Sequence, residues 1–515
     1  MQAERKEPLA GRMVQLVALL LIVLLIAACG TGGEAIEQPP GEQLSVAVVG
    51  ATETATTLPT PDPPTATPDP PTATPTPTAT PRSGGASAGD PYTPELGNTG
   101  YDVQHYTLEL AIDPAAPHVE GTATIEALTT IERLGQISLD FVGFDIGYVM
   151  VDEMVAPFRR EDDKLWIEFP APLLEVGTPF TVTVGYGGQP VQEDSPYIHY
   201  ADHLGLIFPG NNTFYTLSEP DGARYWFPAN DHLLDKASFR IELTVPAGMA
   251  AISNGQLVNS WVTESAEGEK VVTFAWEQDD PMATYLALAA GGHYLRADEA
   301  SPSGVPLIYY YFPELEEEFF EAVDVTGEAL DWMSEQFGAY PFDSYGQATY
   351  YALGISMEMQ SMTLLSFQML DERTVVHELA HSWFGNWVGL ETWGDTWFKE
   401  GFATYVEILW LARDDPAQIE TLVAELEAEV AEKGNDYPIN RPPPERLMSF
   451  DAYHRGALVV HALHEEVGDE AFYEGLRTFF ARYGGGTADF EEFQSVMEEA
   501  AGYSLDPFFS RWLAE

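Results

Sequence analysis

The residues His377-Glu378-Leu379-Ala380-His381 hold the densest set of reactive groups in this chain. On a helix the two histidines stand one turn apart on one face, because positions i and i+4 are neighbours. Two neutral imidazoles at that spacing can bind one zinc ion. At about 100° per residue, Glu378 is turned about 60° from His381, close enough to act as a base toward water at the metal without ligating it. Glu400 follows after eighteen intervening residues, inside Trp397-Phe398-Lys399-Glu400-Gly401-Phe402-Ala403. That stretch also has a helical pattern, with Asp395 as a candidate N-cap. The Gly- and Trp-rich segment between the two can fold the second helix back on the first. Glu400 then completes a His/His/Glu donor set with one position open. The pentapeptide alone is moderately specific; the distal glutamate is what makes it a metal site.

The elements around these residues read as helices. Leu315 to Phe337, Val375 to Trp387, Thr396 to Leu411, Gln418 to Lys433, Arg455 to Val467, Glu470 to Arg482 and Phe490 to Ala501 have apolar residues at helical spacing. Few strands accompany them, Leu307 to Tyr311 among them. Residues 301–515 are therefore expected to form a mainly helical catalytic domain. Before it the period changes to two: Tyr106 to Leu110, Gly121 to Ala127, Ile137 to Phe141, Leu165 to Phe169, Phe180 to Tyr186, Phe239 to Val245 and Val271 to Trp276 alternate between Gly, Pro and Asp clusters. That pattern predicts an antiparallel β-sandwich or saddle over 98–300. The fold class is multidomain, β then mainly α. His461, His464 and Glu465 share one helix and mimic a metal site, but packing explains them better.

Length and composition agree. The chain has 515 residues, enough for two or three domains, and 45% are hydrophobic. Its formal net charge is −58, from 23 basic and 81 acidic residues. Such a surface repels nucleic acid and anionic lipid, so no nucleic-acid partner is expected. Cys29 is the single cysteine, which excludes an internal disulfide. Arg5, Lys6 and Arg12 precede thirteen apolar residues, Leu16 to Ala28. A bilayer span needs about 20, so residues 1–28 read as a signal peptide. Leu25-Ile26-Ala27-Ala28-Cys29-Gly30 resembles a bacterial lipobox. The resemblance implies a diacylated Cys29, an anchor in the membrane and an extracytoplasmic body. An ordinary signal peptide with an incidental cysteine would leave the body on the same side. Residues 29–97 are expected to be a disordered Thr/Pro-rich linker. Its repeat, Pro63-Pro64-Thr65-Ala66-Thr67-Pro68 and Pro70-Pro71-Thr72-Ala73-Thr74-Pro75, favours polyproline II, which over 59–81 extends roughly 70 Å.

His377-Glu378-Leu379-Ala380-His381-Ser382-Trp383-Phe384-Gly385-Asn386, with Glu400-Gly401-Phe402-Ala403, closely resembles the aminopeptidase N family of gluzincins over roughly residues 100 to 515. Glu219-Pro220-Asp221-Gly222-Ala223-Arg224-Tyr225-Trp226-Phe227-Pro228 is similar to a segment of that family's N-terminal domain. Tyr453-His454-Arg455-Gly456-Ala457 resembles its tyrosine motif. The resemblance implies a thermolysin-like catalytic domain, one Zn2+ per chain held by His377, His381 and Glu400, and Glu378 as base. It implies Tyr453 as oxyanion donor, and Glu358 and Glu219 as holders of the α-ammonium of peptides with free N-termini. One motif departs. The family's Gly-Ala-Met-Glu-Asn is here Ile355-Ser356-Met357-Glu358-Met359, so Met359 stands where an amide would bond the substrate backbone, and looser positioning is expected. The chain ends soon after Trp512-Leu513, where many relatives continue into a helical domain. A short form is expected, with a more open cleft or one closed by oligomerisation or another protein. The resemblance favours an aminopeptidase; a zinc endopeptidase with the same metal site and an inactive binding module are the alternatives.

Overall fold

The computed structural model describes residues 80–513, apart from 174, 192–194, 196, 199–202, 353 and 434–436. The expected signal peptide, Cys29 and most of the expected linker lie outside the described residues. The β-rich part comes first. Its largest sheet has eight strands, in the order 256–264, 270–282, 237–246, 101–113, 118–129, 179–188, 145–151 and 154–155. Pairing is antiparallel except between Ala237–Pro246 and Tyr101–Asp113, which run parallel. The first long strand shows how the sequence sets the faces. Tyr101 and Val103 are buried, then Tyr106, Leu108, Leu110 and Ile112. The buried set changes from odd to even numbers because the register shifts between Val103 and His105. One extra residue there turns every later side chain to the other face. These residues join Ile125, Val182, Ile241 and Leu243, and Ile137, Leu139, Leu165 and Ile167 of a four-stranded second sheet, in one continuous apolar core.

Two expected boundaries shift. Residues 80–97 are not linker. Arg82–Ser83 pairs with the strand Leu134–Asp140. Tyr92 and Leu96 are buried, and the Tyr92 hydroxyl donates to Pro442 O at 2.8 Å. Asp90 accepts from Trp393 N at 3.1 Å. A segment poor in apolar residues is ordered because its few large ones dock between the two domains. The boundary at 300/301 falls inside a hairpin: Leu295–Ala300 pairs antiparallel with Pro306–Tyr311. That strand continues, parallel, to Tyr345–Tyr350 and Met362–Ser366, so the strand before 301 belongs to the catalytic sheet.

The helices after it are α1 (Glu316–Val323), α2 (Thr326–Phe337), α3 (Glu372–Ala380), α4 (Thr396–Leu411), α5 (Gln418–Lys433), α6 (Phe450–Tyr483), α7 (Phe490–Ala501) and α8 (Asp506–Trp512). The helix expected over 315–337 is two. The one expected over 375–387 ends at Ala380. Ser382 and Trp383 bond back to Leu379 O and Ala380 O, and Gly385 takes φ 110°, a region that favours glycine. The expected gap between Val467 and Glu470 is a kink in α6 at Gly468, φ 76°. Among the described residues no helix is long and apolar enough to cross a membrane.

Candidate metal centre

Asp371 caps α3, its side chain accepting from Thr374 N at 3.0 Å. Val375, Val376, Leu379 and Ala380 are fully buried and fix the helix against the core. His377 and His381 are thereby aimed at one point, from the last turn and the C-cap. α4 packs across α3 and brings Glu400. Asp395 precedes α4 but makes no side-chain cap; the Thr392 hydroxyl caps the preceding turn instead, accepting from Gly394 N at 3.3 Å.

His377 Nε2 lies 3.2 Å from His381 Nε2. Glu400 Oε2 lies 3.3 Å from the first and 3.5 Å from the second. Four-coordinate zinc with bonds of about 2.0–2.1 Å spaces its donors about 3.3–3.4 Å apart. The three atoms therefore form one face of such a tetrahedron, and the donor set fits zinc. Both imidazoles are oriented from behind. His377 Nδ1 donates to Glu407 Oε1 at 2.7 Å, and His381 Nδ1 to Phe384 O at 3.0 Å. Each Nε2 is left as the metal-facing nitrogen. Arg373 Nε holds the other Glu407 oxygen at 3.2 Å.

Glu378 is buried beside this trio and outside it. Burial, opposed by His377 and reinforced by Glu358 and Glu400, raises its carboxyl to about 8. A divalent cation alongside would draw it back down. The Tyr453 ring stacks on His377, with centroids 5.9 Å apart. Two glycines bring it there. A Cβ on Gly401 would lie 2.6 Å from Gly456 C, and one on Gly456 would lie 2.8 Å from Trp397 O. Only glycine at both positions lets α4 and α6 approach this closely.

Glu219 arrives from the β domain and Glu358 from the loop between the last two strands of the catalytic sheet. Both are almost fully buried, and with Glu400 they place carboxylate oxygens within 4.8 Å of one another. Lys399 Nζ sits among them, 2.6 Å from Glu219, 2.5 Å from Glu358 and 2.7 Å from Glu400. Burial pushes Glu219 up to about 8 against the pull of Lys399. Burial also acts on Glu358, but Lys399 and His381 hold it below the usual range. Asn386 Nδ2 donates to Glu358 O at 2.7 Å and fixes that loop.

All the expected site residues of the described region thus border one cleft of about 560 Å³. Met359 does not; it is buried in the core, while Ile355 to Glu358 line the cleft. His461 and His464 share the Tyr405 hydroxyl and do not line the cleft. His454 lies on the cleft rim, 3.5 Å from Glu429. Sequence reasoning missed Glu407, two helical turns after Glu400 on the same face, and Lys399, the one basic residue of a helix that is largely buried.

An imidazole pair, a distal glutamate and a free buried glutamate on two crossed helices are the equipment of a zinc hydrolase. Residues 102–286 match the Peptidase M1 N-terminal domain and residues 321–512 the Peptidase family M1 domain. The chain belongs to the M1 family of zinc metallopeptidases. It is 27% identical over 326 residues to a puromycin-sensitive aminopeptidase of Caenorhabditis elegans, covering 58% of this chain and 34% of that one. To an aminopeptidase N of Streptomyces lividans it is 28% identical over 331 residues, covering 58% and 38%. The chain thus spans little more than a third of these curated relatives. A solved M1 zinc metallopeptidase from Deinococcus radiodurans matches 83% of this chain and 97% of its own, at 29% identity and a TM-score of 0.76. A mutant of that protein aligns at 30% identity over the same shares.

Proposed function

We propose that this protein is a zinc-dependent aminopeptidase that releases N-terminal residues from peptides. The observation that carries this is a single cleft with a three-donor metal site and, beside it, buried Glu219 and Glu358 contributed by two domains. Zinc, when bound by His377, His381 and Glu400, polarises the scissile carbonyl and a water molecule. Glu378 takes the proton of the attacking water and passes it to the leaving amine. Tyr453 donates to the oxyanion as charge develops. Glu219 and Glu358 hold the substrate's α-ammonium through charge-assisted hydrogen bonds. A chain acetylated at its N-terminus offers no such charge and leaves the carboxylates unpaired, which costs binding. The Caenorhabditis elegans and Streptomyces lividans relatives are aminopeptidases, and a mutant of the Deinococcus radiodurans metallopeptidase was solved bound to a Tyr-Ser-Ala substrate.

The test is zinc content together with hydrolysis of free and N-acetylated aminoacyl reporter amides. Strong preference for the free amine is expected. Equal rates, or cuts mapped to the interior of a long peptide, would make this a zinc endopeptidase. A zinc-loaded protein that cleaves neither would be a binding module.

The lipobox-like run ending at Cys29 supports a body tethered outside the cytoplasm by lipid. Cys29→Ser should abolish incorporation of labelled lipid and detergent partitioning; label retained on the variant rejects the anchor.

A further inference from the structure

Lys399 is fully enclosed, yet its neighbours are the carboxylates that the cleft presents to a substrate. Glu219, Glu358 and Glu400 line the cleft and Lys399 does not. Its ammonium therefore approaches them from the protein side and takes Oε1 of each. The Oε2 of Glu400 is the oxygen that faces both imidazoles. One cation thus holds, at a single point, two carboxylates proposed for the substrate amine and the carboxylate of the metal trio. The fold makes room for it. Gly385, on the turn after His381, has φ 110°, and a Cβ there would come within 3.2 Å of Lys399 Cδ.

A buried ion pair is weak evidence for stability, because desolvation offsets attraction. Four charges drawn together at the reacting end of a cleft call for a different role. We propose that Lys399 is a positioning residue that couples recognition of the substrate's N-terminal ammonium to retention of the metal. The inference rests on the amine-binding reading of Glu219 and Glu358. Lys399 keeps these carboxylates close together, each with Oε1 turned to its ammonium, so that a second ammonium meets two aligned acceptors. Through Glu400 Oε1 it also fixes the carboxylate whose other oxygen faces the metal position, as outer partners of metal ligands do. A residue that only joined the domains would move neither property.

The experiment compares Glu219→Gln, Glu358→Gln and Lys399→Met, the last nearly isosteric and uncharged. Two quantities are read: zinc affinity against a chromophoric chelator, and the ratio of kcat/KM for free over N-acetylated reporter amides. Each glutamine variant should lower the ratio and shift zinc affinity less than Lys399→Met does, because neither glutamate is a donor to the metal. Lys399→Met should lower both, the ratio by about tenfold and zinc affinity by about 10–100-fold. If the glutamine variants leave the ratio unchanged, the amine-binding reading falls and this inference with it. If they lower it and Lys399→Met changes only one of the two quantities, the inference about Lys399 alone is overturned. Should Lys399→Met not fold, the Glu219→Gln/Lys399→Met double variant removes one charge of each sign. That variant is expected to fold with weakened zinc binding, and wild-type zinc affinity in it overturns the proposal.

Discussion

Replacing Glu407 by alanine removes the acceptor that keeps His377 Nδ1 protonated and its Nε2 free for a metal. The bond is 2.7 Å long, and the Glu407 side chain is only 14% exposed, so water replaces it poorly. A hydrogen bond to a charged group contributes about 1.5–3 kcal/mol net. Loss of an outer partner of a metal-bound histidine lowers metal affinity by about 10–100-fold, which is about 1.4–2.7 kcal/mol. The two ranges overlap, so the expected loss of zinc affinity is at least about tenfold. Arg373→Ala is the control. Its guanidinium touches the other Glu407 oxygen at 3.2 Å but is 56% exposed, and an exposed pair contributes about 0–1 kcal/mol. The assay is competition for zinc against a chromophoric chelator, with circular dichroism to confirm the fold. A folded Glu407→Ala variant with wild-type zinc affinity would refute the argument that Glu407 orients the ligand.

Glu378→Gln should retain zinc, because Glu378 stands outside the donor trio, and lose turnover by about 10²–10⁴-fold; metal analysis with kcat on the same sample checks it, and full activity rejects Glu378 as the base. Gly456→Ala should destabilise the fold by about 1–3 kcal/mol, read by urea denaturation, and lower kcat as α6 lifts Tyr453 away; unchanged stability would contradict the close crossing at Gly401. Zinc uptake near neutral pH should release a proton. Burial lowers the affinity of His377 for that proton, but Glu400 and Glu407 outweigh it and hold the imidazole well above its ordinary 6.5. The metal-free site therefore carries a proton that zinc must displace. Apparent zinc affinity rises with pH until that raised pKa is passed and then flattens. Calorimetry in buffers of different ionisation enthalpy counts the proton, and none released would exclude it.

The parts of the site legible in the sequence are those set by local helix geometry. His377 and His381 need only the 3.6-residue repeat, and Glu400 needs one further helix whose start and end were read correctly at Thr396 and Leu411. Glu407 and Lys399 became meaningful only once α3 and α4 were crossed, because their partners lie 30 residues away in one case and in another domain in the other. The strands were legible from alternation, but the face they bury was not wherever a bulge changes parity, as after Val103. The strap over residues 80–97 was hidden for a compositional reason. Pro-, Gly- and Ser-rich sequence resembles linker, and its order rests on Tyr92, Leu96 and Asp90 finding partners far along the chain.

In the proposed function, metal and substrate amine are handled by different kinds of structure. The zinc donors come from two adjacent helices of one domain and need only their crossing. The amine cage needs both domains, and the bonds between them gather near its loop. Asn254 Nδ2 donates to Gln360 O at 2.9 Å, and Gly255 N to the Ser361 hydroxyl at 2.8 Å. Lys236 Nζ reaches Asn386 O at 2.9 Å, and the side chain of Asn386 in turn holds Glu358 O. These bonds fix Glu358 O and the residues just after it to the β domain that supplies Glu219. Met359 is buried, anchors that loop through the core and presents no polar group to the cleft. On the proposed reading, substrate positioning in this chain depends on the two carboxylates and on the domain interface that sets their separation.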